Sequence, residues 1–455
     1  MATSMLNLGK RKHKLGLITL LGLFAFLFLH NAWLYSPFGG YDKSLHMAYA
    51  KILTFEHRIP TYEETPESYN PPTFYFMSGK LAQVFTPVFR DDFFEALKSW
   101  QILMALLVPL AGWFWFDIFK RLNKDKYSGW LFLIWLLSLP VLNKMVPMYN
   151  LEIPQFIFTS FLVWFFTKQV LPKPTLGKIV VLGVFSGMIL SLRLMSVTLI
   201  VSLGLALIFT DLVKRADPKL IAAHFLIFAL ITLLLGGQYY FFYRDEGALG
   251  DKVERRTYLP LWQRQPSTFY TGVFPRLLFT RPVRPYFPNS FIPIFYSDFW
   301  GDYWNYYPQR RFGFTIDDLR KSRLFITPER ISRLAWQNRV NLIPTIIIIL
   351  GVLRAITYTI KSIIDKKLTH KNLAEVFLTL LFVITFVAFG YINLKFANTY
   401  KGDTIKASYI LYAIPVLIYF ATQFVTSLKK HKLIYFSVMT LILTSIIFNL
   451  EFNFF

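Results

Sequence analysis

The sequence contains no cysteine, which removes disulfide frameworks, thiolate metal sites and cysteine nucleophiles from consideration. Any chemistry must come from carboxylates, His, Tyr, Lys or Arg. Charge is scarce as well. Only 16% of the 455 residues are Asp, Glu, Lys or Arg, well below the content of an ordinary soluble domain. Acid is scarcest: 26 acidic residues stand against 49 Lys and Arg, a formal net charge of +23. The GKS/GKT phosphate loop, the HExxH zinc pair and the GxSxG nucleophile turn are all missing. No internal repeat, low-complexity tract or separate soluble domain is visible.

What is abundant is apolar surface. The chain is 55% hydrophobic and 18% aromatic, and these residues fall in long runs rather than in alternation. A helix needs about 20 apolar residues to cross the hydrocarbon, fewer with aromatic or basic flanks. Eleven segments are candidates: 15–35, 100–119, 128–143, 152–167, 178–193, 194–212, 220–242, 341–358, 373–393, 407–427 and 433–450. The expected fold is an all-α polytopic membrane protein forming a single membrane domain over 1–455.

Short cytoplasmic loops should hold the Lys and Arg. Threaded with the N-terminus inside, the inner segments carry 21 of them and the short outer loops carry 5, so N-in, C-out is the expected orientation. The first apolar run is long and no small-residue cleavage site precedes Tyr35, which reads as an uncleaved anchor. The basic excess sits mostly at cytoplasmic loop ends, so it does not mark nucleic-acid binding. The expected place is the cell (inner or plasma) membrane.

Two outer segments are too long to be connectors. Residues 36–99 carry 6 basic and 8 acidic residues, whereas 243–340 carry 14 Arg, 2 Lys and 9 acidic residues. Long translocated segments escape the charge rule, so the second is free to be basic but needs a reason to be.

The stretch GGYDKSLHMAYAKILTFEHRIP, residues 39–60, opens the first of these loops. Leu45, Ala48, Tyr49, Ile52, Leu53 and Phe55 recur at helical spacing, predicting an amphipathic surface helix over 42–57. Asp42 stands at its first turn, with His46 four residues on and Tyr49 three beyond that on one face. Asp42 is either a helix cap or a general base, since a carboxylate at a helix N-terminus stays ionised and proton abstraction needs that form. YNPPTFYFMSGKLAQVF, residues 69–85, enters on two prolines and continues as a second surface helix that carries Tyr69, Asn70 and Tyr75 either as a turn or towards a substrate. In NKMVPMYNLEIPQF, residues 143–156, Glu152 stands at the mouth of a span, where an acid is either solvated or functional. Tyr149 and Asn150 beside it fit an interfacial belt or a sugar platform.

In FIPIFYSDFWGDYWNYYPQRR, residues 291–311, the aromatics fit a belt at the interface. Asp298 and Asp302 around Trp300 exceed what a belt requires. Aromatic faces pack on sugar C–H surfaces and carboxylates accept hydroxyl hydrogen bonds, so the mixture also suits a carbohydrate site. Arg310 and Arg311 suit phosphate. KFANTYKGDTIKASY adds Lys401 and Lys406, which either snorkel or hold a lipid phosphate. Within the spans ionisable groups are few: His30, Arg193 and His224, with Arg354 near an end.

In their order along the chain these pieces resemble the C-type glycosyltransferase superfamily. More narrowly, they resemble bacterial and archaeal membrane enzymes related to protein O-mannosyltransferases and lipid A aminoarabinose transferases. GYDKSLHMAYAKILTFEHRIP is similar to that family's acid, His and apolar helix after the first span. YNPPTFYFMSG is similar to its PP-x-x-Y segment, YNLE to its second-loop N-x-E, RLMSVTLIVSLGLAL to its mid-chain hairpin, SDFWGDYW to a recurring loop motif, and KGDTIKASYILYAIP to its closing segment. Lys43 stands where the family often has a second acid, which leaves residue 42 without the partner of a two-carboxylate metal site. Ser408 stands where Arg is common, which moves a phosphate contact towards Lys406.

The resemblance implies an inverting glycosyltransferase that moves a sugar from a polyprenyl-phosphate-sugar donor to a lipid, glycan or protein acceptor outside the membrane. It implies Asp42 as general base and Glu152 as orienting or second carboxylate. The substrate contacts it implies are His46, Tyr75, Tyr149, Asp298, Trp300 and Asp302, and the phosphate contacts are Arg310, Arg311, Lys401 and Lys406. Basic groups at the interface can do what a metal does for nucleotide sugars, so neither a metal nor another cofactor is required, and membrane lipids are the remaining partners. Competing classes are a lipid-linked glycan flippase or transporter, which calls for charges along a central path and similar halves, and a non-catalytic membrane scaffold. A reporter-fusion scan is expected to read residues 243–340 outside the cytoplasm; a cytoplasmic signal there breaks the arrangement.

Overall fold

The computed structural model describes residues 2–123, 125, 127–242, 259–306, 327–366, 368–396 and 404–453, with side chains omitted for 2–12, 241–242 and 451–453. Among the described residues there is no strand. The principal helices in chain order are α1 (Ala2–Leu34), α2 (Lys43–Phe55), α3 (Thr73–Phe85), α4 (Lys98–Leu122), α5 (Ser128–Leu137), α6 (Pro140–Met145), α7 (Glu152–Phe165), α8 (Leu176–Leu190), α9 (Val197–Val213), α10 (Pro218–Gly236), α11 (Phe291–Trp300), α12 (Pro328–Val340), α13 (Leu342–Ile364), α14 (His370–Lys395), α15 (Ile414–Ser427) and α16 (Lys432–Asn453).

Each of the eleven expected segments is helical, but eight helices among the described residues are long and apolar enough to cross a membrane. The others are short or interrupted. The segment 128–143 splits into α5 and α6 because Leu139, the residue before Pro140, is extended, as a following proline favours. The segment 152–167 becomes α7 followed by a π-helical turn over Phe166–Val170, and α8 spans only 15 residues.

One contiguous apolar core runs from Phe24 to Ile446. Small residues let backbones approach within it, as in other membrane bundles. On α8, a Cβ added at Gly187 would lie 2.7 Å from Leu235 Cβ, and one added at Gly236 would lie 2.3 Å from the Gly187 carbonyl oxygen. Gly351 on α13 meets the Phe420 backbone of α15 in the same way, at 2.7 Å.

The first loop is tied to the bundle at the end of α1. Lys98, fully buried at the start of α4, donates to the carbonyls of Ala32 (3.0 Å), Trp33 (3.3 Å) and Tyr35. These are carbonyls a helix C-terminus leaves unpaired, and a cation there also suits the helix dipole. From that anchor the chain turns through Gly40, whose φ of 105° suits glycine, into Asp42 and α2. The helix predicted over 42–57 is observed as Lys43–Phe55, and its buried face includes His46, Met47, Tyr49, Ala50 and Thr54. It packs against α3, where a Cβ at Gly79 would sit 2.0 Å from Thr54 Oγ1.

The Gly236→Ala variant is expected to be destabilised by about 1–3 kcal/mol, because its methyl meets a backbone carbonyl that cannot rotate away. Thermal melting of the purified protein in detergent checks this; a wild-type midpoint would show that the α8–α10 seam can open at no cost.

Candidate functional site

Asp42 adopts a left-handed backbone conformation (φ 47°, ψ 22°) and makes no side-chain capping hydrogen bond to α2. The capping alternative is therefore not realised, and the carboxylate turns elsewhere. Its Oδ2 lies 3.4 Å from Lys406 Nζ. The exposures differ sharply: the Asp42 side chain is 48% exposed and that of Lys406 10%. A buried ammonium thus stands behind a carboxylate that faces outwards.

Aromatic rings enclose that ammonium. Lys406 Nζ is 4.8 Å from the ring centre of Tyr41 and 5.5 Å from that of Tyr409, within cation–π range. A second pair shares the Tyr409 wall. Arg193 Nη1 is 2.6 Å from Glu152 Oε1, and its guanidinium carbon lies 4.9 Å from the Tyr409 ring. Glu152 opens α7, where a carboxylate is favoured by the helix dipole. Arg193 stands in extended conformation on the short link between α8 and α9. Segments far apart in the chain therefore bring two carboxylates and two cations to one tyrosine-lined cluster.

The electrostatics are mutually supporting. Burial by itself would push the Lys406 ammonium down, but Tyr409, Asp42, Tyr306 and Glu152 hold it above the ordinary lysine value. Phenols are uncharged at neutral pH, so Asp42 and Glu152 carry that effect there. Arg193 behaves alike: burial opposes its charge, and Glu152 more than restores it. Burial raises the phenols of Tyr41 and Tyr69, with help from nearby Asp298 and Glu67 respectively, so both remain neutral hydroxyls. A separation of 3.4 Å is long for a charge-assisted hydrogen bond, and an ammonium carries three donors. Lys406 can accordingly accept a second anion.

Asp298 lies beneath this cluster and is fully buried. Its Oδ1 pairs with Lys144 and receives the Tyr41 hydroxyl at 3.4 Å, while its Oδ2 accepts the Ala407 N–H at 2.7 Å. Lys144 on α6 also donates to the carbonyls of Asp298 (2.6 Å) and Gly301 (3.0 Å) at the end of α11. Asp302, equally buried, pairs with Arg330 of α12 at 2.7 Å and accepts the Tyr306 N–H at 3.2 Å. Trp300 donates its indole N–H to Thr345 at 2.7 Å.

The other residues singled out in the sequence fall in different places. Asp42 precedes α2 as a left-handed residue with a half-exposed side chain, whereas the His46 side chain is buried. Its Nδ1 is 2.8 Å from the Tyr75 hydroxyl and 3.9 Å from Glu67, and Tyr75 stacks on Tyr49 with ring centres 3.8 Å apart. Tyr149 shares a 2.7 Å hydrogen bond with Ser78 of α3. All three are buried between α2, α3 and the second loop. Arg310, Arg311 and Lys401 lie outside the described residues. Among the described residues no group of three or more His, Asp or Glu converges as a metal site would require.

No family model and no curated protein matches the sequence. Two solved structures are similar to this chain. The likeness is to ArnT. The crystal structure of ArnT from Cupriavidus metallidurans bound to undecaprenyl phosphate aligns over 90% of this chain and 76% of that one, at 15% identity and a TM-score of 0.35. The apo structure of ArnT aligns over 90% and 77%, at 13% identity and a TM-score of 0.37. With so few shared residues, the chemistry of this chain has to be read from its own side chains.

Four members of the cluster, Arg193, Tyr41, Tyr69 and Tyr409, were not assigned to it by sequence reasoning together with Asp42, Glu152 and Lys406. The available signal for Arg193 was a lone guanidinium between two apolar helices, which is costly unless paired. The two carboxylates are expected to differ in their structural weight. Glu152→Ala strands the buried Arg193 and should destabilise by about 3–5 kcal/mol. Asp42→Asn keeps an acceptor and a residue tolerant of positive φ at a half-exposed position, and should cost under about 1 kcal/mol. Thermal melts of both variants check the contrast, and equal losses would place Asp42 inside the fold's ion-pair framework.

Proposed function

We propose that this chain is an inverting membrane glycosyltransferase. It moves a sugar from a polyprenyl-phosphate-sugar donor to an acceptor hydroxyl on the extracytoplasmic side, with Asp42 as general base. The observation that carries the reading is the loose pair of half-exposed Asp42 and buried, aromatic-walled Lys406. A general base must reach its substrate in the ionised form. A leaving phosphate needs a fixed positive charge in a place from which water is largely excluded. The two groups supply one requirement each.

In the reaction, Asp42 takes the acceptor O–H proton as that oxygen forms its bond to the anomeric carbon. The bond from the anomeric carbon to the phosphate oxygen breaks, and polyprenyl phosphate departs with the electron pair. Inversion places the incoming and leaving oxygens on opposite sides of the sugar, so base and phosphate cannot both stay in contact with one ammonium. The 3.4 Å pair therefore opens as donor binds: the phosphate takes over Lys406, and Asp42 is released towards the acceptor. Lysine suits this exchange, being a point charge on a flexible stem. Arg193, held by Glu152 against Tyr409, adds fixed positive charge nearby. In this reading Glu152 sets Arg193 and orients the acceptor side, and the aromatic walls of Tyr41 and Tyr409 offer faces on which a sugar ring can pack.

The test is transfer of labelled sugar from a panel of polyprenyl-phosphate donors by the purified full-length protein in lipid. Asp42→Asn is expected to lower kcat by about 10²–10⁴-fold with little change in donor KM. Lys406→Gln should raise donor KM and lower kcat together. The product should carry the anomeric configuration opposite to the donor by NMR. Unchanged transfer in Asp42→Asn removes it as base, and no donor consumption across the panel removes the enzyme reading.

A further inference from the structure

The Asp42–Lys406 pair joins residues 364 positions apart, and neither lies within a principal helix. Asp42 precedes α2, and Lys406 lies in an extended segment ahead of α15. Something must fix their separation. Two contacts converge on one carboxylate, and a third closes them into a ring. Asp298 Oδ2 holds the N–H of Ala407, the residue after Lys406, at 2.7 Å. Asp298 Oδ1 receives the hydroxyl of Tyr41, the residue before Asp42, at 3.4 Å. The Tyr41 ring in turn lies 4.8 Å from Lys406 Nζ. Asp298, Tyr41, Asp42, Lys406 and Ala407 therefore form a closed ring of covalent and non-covalent links.

The anchor of that ring is itself buried and held on several sides. Lys144 grips the same carboxylate and two carbonyls at the end of α11, and both side chains are essentially inaccessible. Asp298 is shut away from a sugar hydroxyl: its side chain is fully buried, with one oxygen on a backbone N–H and the other on an ammonium and a phenol.

We infer that Asp298, held by Lys144, is a positioning residue that sets the Asp42–Lys406 pair for proton abstraction, rather than a substrate contact. Its catalytic consequence rests on the transferase reading above; its structural consequence does not. Among the described residues, the charged and titratable groups acting on this part of the site besides Lys406 are Tyr409 from the same segment, Tyr41, Glu67 and Tyr69 from the first loop, Tyr306, Glu152 of α7 and Arg193. Lys406 favours the ionised Asp42, so releasing Lys406 from its seat must raise the pH at which Asp42 takes up a proton.

The experiment reads Asp42 directly. The full-length protein in lipid is labelled with a carbodiimide and an amine nucleophile across a pH series, and modification of Asp42 is quantified by peptide mass spectrometry. Two variants are compared with wild type. Asp298→Asn with Lys144→Gln removes both charges of the anchor without stranding either; Asp298→Glu keeps the charge pair but displaces the acceptor for Ala407. In whichever variant gives a monodisperse protein with a cooperative melt, the Asp42 midpoint is expected to rise by about one pH unit. Turnover should fall by about 10²-fold with a rise in donor KM, because Lys406 also receives the donor phosphate, and its acid limb should be displaced upwards. A purely structural role would lower the melting temperature and leave the midpoint and acid limb in place. A wild-type Asp42 midpoint in a folded variant overturns the inference even where the wild-type enzyme is active. A displaced midpoint in a protein that consumes no polyprenyl-phosphate sugar leaves it standing and sinks the transferase reading instead.

Discussion

The contact between Lys144 and Asp298 is the interaction on which the region around the Asp42–Lys406 pair is organised. Removing an ammonium and a carboxylate from water costs several kcal/mol each, and their attraction repays this only when other hydrogen bonds complete both groups. Here they do: the ammonium has two carbonyls besides its carboxylate, and the carboxylate has a backbone N–H and a phenol besides its ammonium. The pair thereby locks α6, the end of α11 and the segment leading into α15 into one arrangement. The same logic recurs at Arg193 with Glu152, Arg330 with Asp302 and His224 with Asp211, all well shielded from solvent. Such pairs add little net stability over apolar packing, but they admit few alternative registers.

Against that rigid background Asp42 is the exception. Its backbone is left-handed, its side chain is half exposed, and its partner is at the far end of hydrogen-bonding distance. Residues in sparsely populated backbone conformations cluster at functional sites. Of Lys406, Tyr41, Tyr409 and Asp42, Asp42 is the most exposed: a shielded cation stands behind and an exposed anion in front.

Much of the fold was legible in the sequence because hydropathy is a local property. Every apolar run is helical in the structure, and even the break at Leu139–Pro140 follows from backbone sterics at a single dipeptide. Asp42, Glu152 and Lys406 could be singled out because acids and bases at span mouths are conspicuous. What stayed hidden was pairing. Arg193 meets Glu152 across 41 positions of sequence, and Tyr41 meets Asp298 across 257, and no periodicity encodes contacts of that kind. The spacing from Asp42 to His46 is a related case. Four-residue spacing implies a shared face only if both residues are helical, and Asp42 is not. Asp298, Asp302 and Trp300 drew notice by composition and by a loop motif, and neither signal encodes the partners their polar atoms take in the fold, Lys144, Arg330 and Thr345.

The 364 positions between Asp42 and Lys406 also set an order of events in the protein's synthesis. A chain entering the bilayer from its N-terminus delivers Asp42 just after its first span, long before Lys406 exists. The intervening helices can reach the membrane and begin to pack while that carboxylate still faces water alone. Only when α14 has crossed and the segment ahead of α15 arrives does the ammonium reach its seat. The Asp42–Lys406 pair therefore needs nearly the whole chain, and a chain that stops short of Lys406 lacks it however well its early helices pack.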